Sequence, residues 1–241
     1  METPHTKRSN FDLVIFDCDG VLVDSELISC RAHARTLTRH GYPITAAEVR
    51  DRFLGRSARD ANAEIERELG RALPEACDRE RKVELLEALG RDVSAVAHIH
   101  DALDAITVPV CVASSGGHDK IFATLSRTAL HPRFAPHIFS ATQVARGKPA
   151  PDLFLFAARQ MGCVPQRCIV VEDSEAGVTA AVAAGMHVVG FVGGTHCQPG
   201  DADRLRAKGA HVIVADMREL PDLVARHFAA IPDKTLQNAP N

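Results

Sequence analysis

The sequence predicts an α/β fold: a doubly wound parallel sheet with a helical unit inserted after its first strand. Three observations predict it. Short, unbroken apolar runs rich in Val and Ile alternate with segments of helical periodicity, the pattern of parallel strands buried on both faces between crossover helices. Glycines stand where those helices should end. One long stretch, from about Ser25 to Asp92, has helical patterning and no convincing strand. With 241 residues, 46% of them hydrophobic and 24% charged, and only 16 Gly and 13 Pro, the chain is neither collagen-like, disordered nor a coiled coil. Its length suits one large core with a smaller appendage.

In chain order, Phe11 to Phe16 is the first expected strand. The strand-free stretch follows, broken at Gly41-Tyr42-Pro43, at Gly55 and from Gly70 to Pro74. It has the length of a four-helix module, so residues 1–24 and 93–241 are expected to form the core and residues 25–92 the inserted helical unit. Val108 to Ala113 is the next strand and Lys120 to Thr128 the next helix. Helices from Asp152 to Met161, Ser174 to Ala184 and Ala202 to Lys208 are closed by Gly162, Gly185 and Gly209. Strands from Cys168 to Val171, His187 to Phe191 and His211 to Val214 complete the alternation.

Charge excludes some functions. With 28 Lys and Arg against 31 Asp and Glu, the net charge is −3, so no basic field favours nucleic acid or an anionic membrane and a small-molecule partner is expected. The most apolar stretch, Ala180 to Gly194, is shorter than the roughly 18 residues of a membrane span. Met1 to Asn10 is polar, without the apolar region of a secretory leader. Seven cysteines, widely spaced and without a Cys-x-x-Cys pair, read as reduced thiols. A cytoplasmic protein, monomeric or weakly dimeric, is expected.

Ligands of an open parallel sheet bind outside the carboxyl ends of its strands. The first run is followed by Asp17-Cys18-Asp19-Gly20, the second by Ser114-Ser115-Gly116-Gly117, and the run ending at Val171 by Glu172-Asp173-Ser174. Lys148 lies in the loop before the helix at Asp152. The four acids Asp17, Asp19, Glu172 and Asp173 offer hard oxygen ligands that repel one another, a set suited to Mg²⁺. For Glu172-Asp173-Ser174 alone, a helix cap is an equal alternative. Ser114, Ser115 and the following N–H groups can converge on an anion, although Ser-Ser-Gly-Gly is also an ordinary capped loop. Lys148 can place a point charge on phosphate or remain solvated. Together the groups describe a phosphoryl-transfer site. Asp17 is already a carboxylate and can attack phosphorus, while Asp19 exchanges protons with the leaving alcohol and then with water. That second task calls for an Asp19 pKa raised by its neighbours. Of the twelve histidines, His196 is the one expected on the active side of the sheet.

Phe16-Asp17-Cys18-Asp19-Gly20-Val21-Leu22-Val23-Asp24-Ser25, Val112-Ala113-Ser114-Ser115, Gly147-Lys148-Pro149-Ala150-Pro151-Asp152 and Glu172-Asp173-Ser174-Glu175-Ala176-Gly177 together resemble the motifs of the haloacid dehalogenase superfamily. The resemblance runs from Phe11 to about Arg226. It is to phosphatases with a helical C1-type cap, the subfamily that includes β-phosphoglucomutase and many sugar-phosphate phosphatases. It implies a Rossmannoid core, Mg²⁺ and a small phosphorylated metabolite as substrate. It also implies Asp17 as nucleophile and Asp19 as acid/base that lends its carbonyl to the metal. Asp173, with Glu172, would complete the metal shell, while Ser114, the Ser115 amide and Lys148 hold the phosphoryl oxygens. Asp19 argues against carbon–halogen cleavage, because the dehalogenases of the superfamily lack that second acid. A receiver-like phosphoacceptor module shares acids, hydroxyl, lysine and Mg²⁺, but fits the Asp-x-Asp spacing and the insertion less well.

Selectivity is expected from Gly55-Arg56-Ser57-Ala58-Arg59, which resembles the substrate-specificity loop; Arg56 and Arg59 would meet a sugar hydroxyl or second anion, with solvated arginines as the alternative. The mutases of the subfamily carry a histidine where this chain has Ser29 and an arginine where it has Ala58. Phosphatase activity on a sugar or sugar-acid phosphate is therefore expected, with a phosphosugar mutase as the alternative.

Overall fold

The computed structural model describes residues 11–53 and 58–225. Six parallel strands form one sheet: β1 (Leu13–Phe16), β2 (Val110–Ser114), β3 (Ile138–Ser140), β4 (Cys168–Glu172), β5 (His187–Phe191) and β6 (Val212–Val214), in the order β3-β2-β1-β4-β5-β6. Chain order reverses its direction of growth between β1 and β4, so a crevice opens there at the carboxyl ends of the strands. Val14 pairs with Val110 on one side and Ile169 on the other.

Alternation explains why β1 is apolar throughout. Leu13 and Ile15 face one hydrophobic cluster with Cys111, Val170, Leu153, Phe154 and Val178. Val14 and Phe16 face the other, with Val112, Val171, Ile121 and Leu125. Every β1 side chain is fully buried, as the period-2 geometry of a strand covered on both faces requires.

Between β1 and β2 stand α1 (Glu26–Arg39), α2 (Ala46–Phe53), α3 (Ala58–Leu69), α4 (Glu75–Asp92) and the short α5 (Ile99–Ala105). Helices α1 to α3 and the start of α4 share a third apolar cluster, built on Cys30, Leu37, Tyr42, Val49, Phe53, Ile65 and Cys77. At its margin Arg52 donates to the Tyr42 hydroxyl at 2.9 Å and to Glu64 at 2.9 Å. The crossover helices that position the site are α6 (His118–Arg127), α8 (Asp152–Gln160), α9 (Glu175–Ala183) and α10 (Asp201–Ala207); α7 (His131–Phe134) is a single turn and α11 (Leu220–Ala225) packs on α5. Gly162, Gly185 and Gly209 follow α8, α9 and α10 with φ of 68°, 72° and 102°, the left-handed conformation that glycine adopts without strain.

The strand β3 is the element the apolar runs do not reveal. It has three residues on the sheet edge, and only Ile138 and Phe139 are apolar, between His137 and Ser140, so it presents no run. Among the described residues no helix is long and apolar enough to cross a membrane.

Candidate active site

The loops after β1, β2, β3, β4 and β5 meet at the crevice. Asp17 directly follows β1, its N–H donating to Val171 O at 3.0 Å. Gly20, at φ 81°, turns the chain back so that its N–H reaches Val23 O at 2.8 Å. This backbone lies so close to β4 that a Cβ on Gly20 would overlap Asp173 Oδ2.

Asp17, Lys148 and Glu172 form one buried triad. Lys148 Nζ donates to Asp17 Oδ1 at 2.5 Å and to Glu172 Oε1 at 2.7 Å, with the three side chains 4%, 9% and 1% exposed for Lys148, Asp17 and Glu172. Lys148 is thus not a solvated loop residue. Burial pushes the Asp17 carboxyl well above the usual carboxylate range, and Glu172, Asp173 and Asp19 add to it against the pull of Lys148. The same carboxylates outweigh burial at Lys148 and raise its pKa.

Asp19 corrects the expectation from sequence. Its Oδ1 accepts from Ser25 Oγ at 2.5 Å and from Lys120 Nζ at 2.9 Å. Burial would raise its pKa, yet the Lys120 charge and the Ser25 hydroxyl prevail and hold it below the ordinary value. The carboxyl that neighbouring acids raise is Asp17. Lys120 escapes sequence reading because it sits within the amphipathic pattern of α6; its only signal is a place in the first turn of the helix that follows Ser114-Ser115-Gly116-Gly117.

Ser114 is fully buried. Its Oγ accepts from Gly116 N–H at 3.0 Å, which leaves the hydroxyl proton to donate elsewhere. Ser115 follows it, exposed at the loop. Across the crevice the cap alternative for Glu172-Asp173-Ser174 holds for one residue. Ser174 Oγ accepts from Gly177 N–H at 3.0 Å and caps α9, while Ser174 donates from N and Oγ to Glu172 Oε2 at 2.8 and 2.9 Å. Both Glu172 oxygens are therefore engaged. Asp173 Oδ2 instead meets His196 Nε2 at 2.9 Å. Burial lifts Asp173 to about 6 against that contact; at His196 burial acts downward, but Asp173 and Cys197 raise the ring to about 10.

Further groups that sequence reading missed come from the helical unit. Burial, then the Asp19 charge, raises Glu26 on α1 to about 7. His33, two turns further along α1 on the same face, is lowered to about 4 by burial and by the nearby charges of Arg81 and Lys120. Arg81 on α4 donates to Asn62 Oδ1 at 3.2 Å and pairs with Asp78 at 2.5 Å. Lys82 beside it pairs with Asp119 of α6 at 2.8 Å, tying α4 to the site end of the sheet. Arg56 lies outside the described residues. Arg59 falls in the first turn of α3, and its side chain is likewise outside them.

A site with this donor chemistry fits a hard divalent cation. The available carboxylates supply oxygens only, and glycine at position 20 lets the main chain approach Asp173. No three His, Cys, Asp or Glu side chains among the described residues form a ready-made cage. That suits a cation which takes one or two carboxylates and completes its shell with water and substrate phosphate.

Strand order, insertion point and the chemistry of the crevice define a hydrolase of the haloacid dehalogenase type. The chain belongs to the haloacid dehalogenase-like hydrolases, whose family profile matches residues 11–185. It is 32% identical over 192 residues to the 6-phosphogluconate phosphatase of Escherichia coli K12, covering 79% of this chain and 87% of that protein. Among solved structures it resembles a conserved haloacid dehalogenase-like protein of unknown function from Agrobacterium tumefaciens, at 41% identity and a TM-score of 0.81, covering 89% of this chain and 98% of that one. A hydrolase of the same family from Deinococcus radiodurans, solved with bound phosphate and sodium, matches at 30% identity and a TM-score of 0.76, with 90% and 96% covered. Phosphatases of this family generally work with a divalent metal.

Proposed function

We propose that this chain is a Mg²⁺-dependent phosphatase that hydrolyses the phosphate monoester of a small sugar or sugar acid, with Asp17 as the nucleophile. Its reaction class is that of the phosphoric monoester hydrolases. The observation that carries the reading is the end of β1, where Asp17 Oδ1 lies 2.5 Å from Lys148 Nζ and Asp19 is held by Ser25 and Lys120. The Asp17 carboxylate attacks phosphorus as the bond from phosphorus to the leaving alcohol breaks, leaving an aspartyl-phosphate. Water then attacks phosphorus, releasing inorganic phosphate and regenerating the carboxylate. In the free site Lys120 and Ser25 hold Asp19 as a carboxylate; it takes up a proton from solvent as the anionic substrate enters, gives it to the leaving alcohol and takes one back from the attacking water.

Lys148, Ser114 and the Ser115 N–H hold the phosphoryl oxygens where charge develops. Asp17, the Asp19 carbonyl and Asp173 would hold Mg²⁺, which when bound screens the repulsion between carboxylate and phosphate. Glu172, with both oxygens engaged, orients Lys148 beside that set. Residues 25–92 act as a cap that closes over the crevice and reopens for hydrolysis, and Arg56 and Arg59 select the substrate. The sugar-acid reading is supported by the relative named for 6-phosphogluconate. Release rather than transfer to a second sugar is supported at Ser29, whose hydroxyl donates back to Ser25 O at 3.0 Å and has no imidazole to steer the acid/base.

The test is phosphate release from p-nitrophenyl phosphate and from a panel of phosphorylated sugars and sugar acids, with and without Mg²⁺. Metal-dependent release is expected. With β-glucose 1-phosphate and a trace of the 1,6-bisphosphate, glucose 6-phosphate accumulating faster than free phosphate would overturn the phosphatase reading.

A further inference from the structure

His196 has no part in the chemistry above, yet it is buried in the crevice. Nε2 stands 2.9 Å from Asp173 Oδ2, with both side chains 8% exposed. The other ring nitrogen, Nδ1, is buried without a hydrogen-bond partner among the described residues. A buried polar atom left unsatisfied costs stability, so the ring is not placed for the sake of its own hydrogen bonding. The chain has nevertheless cleared a slot for it. A Cβ on Gly194 would stand 2.7 Å from His196 Cε1, and one on Gly20 would stand 2.8 Å from the same atom. The loop is also clamped just before the ring: Thr195 donates from N and Oγ1 to Asp24 Oδ1 at 2.9 and 3.0 Å. Cys197 N–H closes back on Gly194 O at 3.0 Å.

We infer that His196 is a positioning residue for the metal-bearing carboxylate: by donating Nε2–H to Asp173 Oδ2 it fixes the rotation of that group and leaves Oδ1 to face the cation. The loop after β5 is thereby part of the metal site without supplying a ligand. Carboxylates that bind metals are commonly fixed by such a partner, and losing it weakens metal binding. Asp24 extends the device, since it locks the His196 loop to the loop that carries Asp17 and Asp19. The inference rests on Asp173 being a metal carboxylate, and the test keeps the two apart.

Mn²⁺ serves as the probe, its free fraction read by electron paramagnetic resonance on the full chain without substrate. His196→Phe fills the slot but has no donor; His196→Gln keeps a terminal N–H at the same distance from Cβ. The expected result is a Kd for Mn²⁺ raised roughly 10- to 100-fold by His196→Phe and changed by less than about threefold by His196→Gln, a rescue that a merely space-filling ring would not show. Gly194→Ala displaces the ring without altering either side chain and should weaken Mn²⁺ in the same direction, which keeps the test open should the Phe variant not fold. If His196→Phe or Gly194→Ala, folded by circular dichroism, binds Mn²⁺ as tightly as the parent while Asp173→Asn does not, the positioning role is overturned and the metal reading stands. If Asp173→Asn also binds as the parent does, both are overturned.

Discussion

Two ionic clusters in this molecule pair carboxylates with cations to opposite effect. In the crevice Lys148 is enclosed between Asp17 and Glu172, all three side chains less than a tenth exposed. On the helical unit Glu84 of α4 accepts from Arg35, Arg39 and Thr36 of α1, Arg39 at 2.6 Å and Thr36 at 3.0 Å, with both guanidiniums about half exposed. Water screens the second cluster, so it fastens one helix to another and contributes little. The first cluster is sealed from water, where deleting its single cation leaves two carboxylates uncompensated. A triad that does not maximise stability is suited to a site where phosphate and metal supply the missing balance.

Each prediction probes that contrast, beginning with the largest effect. Asp17→Asn is isosteric and should abolish turnover while leaving the melting temperature nearly intact, because it removes one of two carboxylates that repel each other across Lys148. A variant retaining a substantial share of kcat would end the covalent reading. Lys148→Ala should lower kcat by roughly 10²–10³. Unlike Asp17→Asn it should also destabilise the fold, by about 3–5 kcal/mol, since two buried carboxylates lose their counter-charge. Equal stability of these two variants in denaturant titrations would erase the distinction between the clusters.

Neutralising Arg56 and Arg59 should reorder a panel of sugar phosphates while leaving p-nitrophenyl phosphate hydrolysis nearly unchanged; a uniform loss would remove their role in selection. The smallest effect belongs to Glu84→Gln, no more than about 1 kcal/mol after allowance for solvent screening. Its sign with pH is fixed. Burial raises the Glu84 carboxyl, but Arg35, Arg39 and Thr36 prevail and bring it from 4.5 to about 2. Its contribution is therefore present above pH 4.5 and lost as the pH falls toward 2. Urea titrations of parent and variant should converge over that interval, and sooner at high salt.

The sheet was legible wherever burial on both faces forces an apolar run, as in Leu13–Phe16 and Cys168–Glu172. It was not legible at Ile138–Ser140, where His137 and Ser140 flank just two apolar residues, whereas the equally short edge strand Val212–Val214 is apolar throughout. Asp17, Ser114, Lys148 and Asp173 could be read because they occupy strand ends or loop motifs, whose position in a parallel sheet is set by topology. Lys120 and Glu26 could not. Each belongs to the surface pattern of a helix until a three-dimensional arrangement turns it toward Asp19. The pKa of Asp19 was misread for the same reason: sequence displays the neighbouring acids but not the ammonium group that outweighs them.

Of the six strands of the sheet, the central β1 precedes the others in the chain and is among the last to be completed. Val14 must wait for Val110 and then for Ile169. At roughly 5–20 residues per second on the ribosome, about 150 residues separate β1 from β4 by roughly 8–30 seconds. During that interval a strand apolar on both faces has emerged without its second neighbour. The helical unit between β1 and β2 lengthens the wait, yet the entropy of closing a loop grows only logarithmically, by about 0.6 kcal/mol for each doubling. The finished protein thus scarcely registers the size of what is inserted after β1, whereas the nascent chain does, and a larger insertion would first show itself as a greater need for chaperones during synthesis.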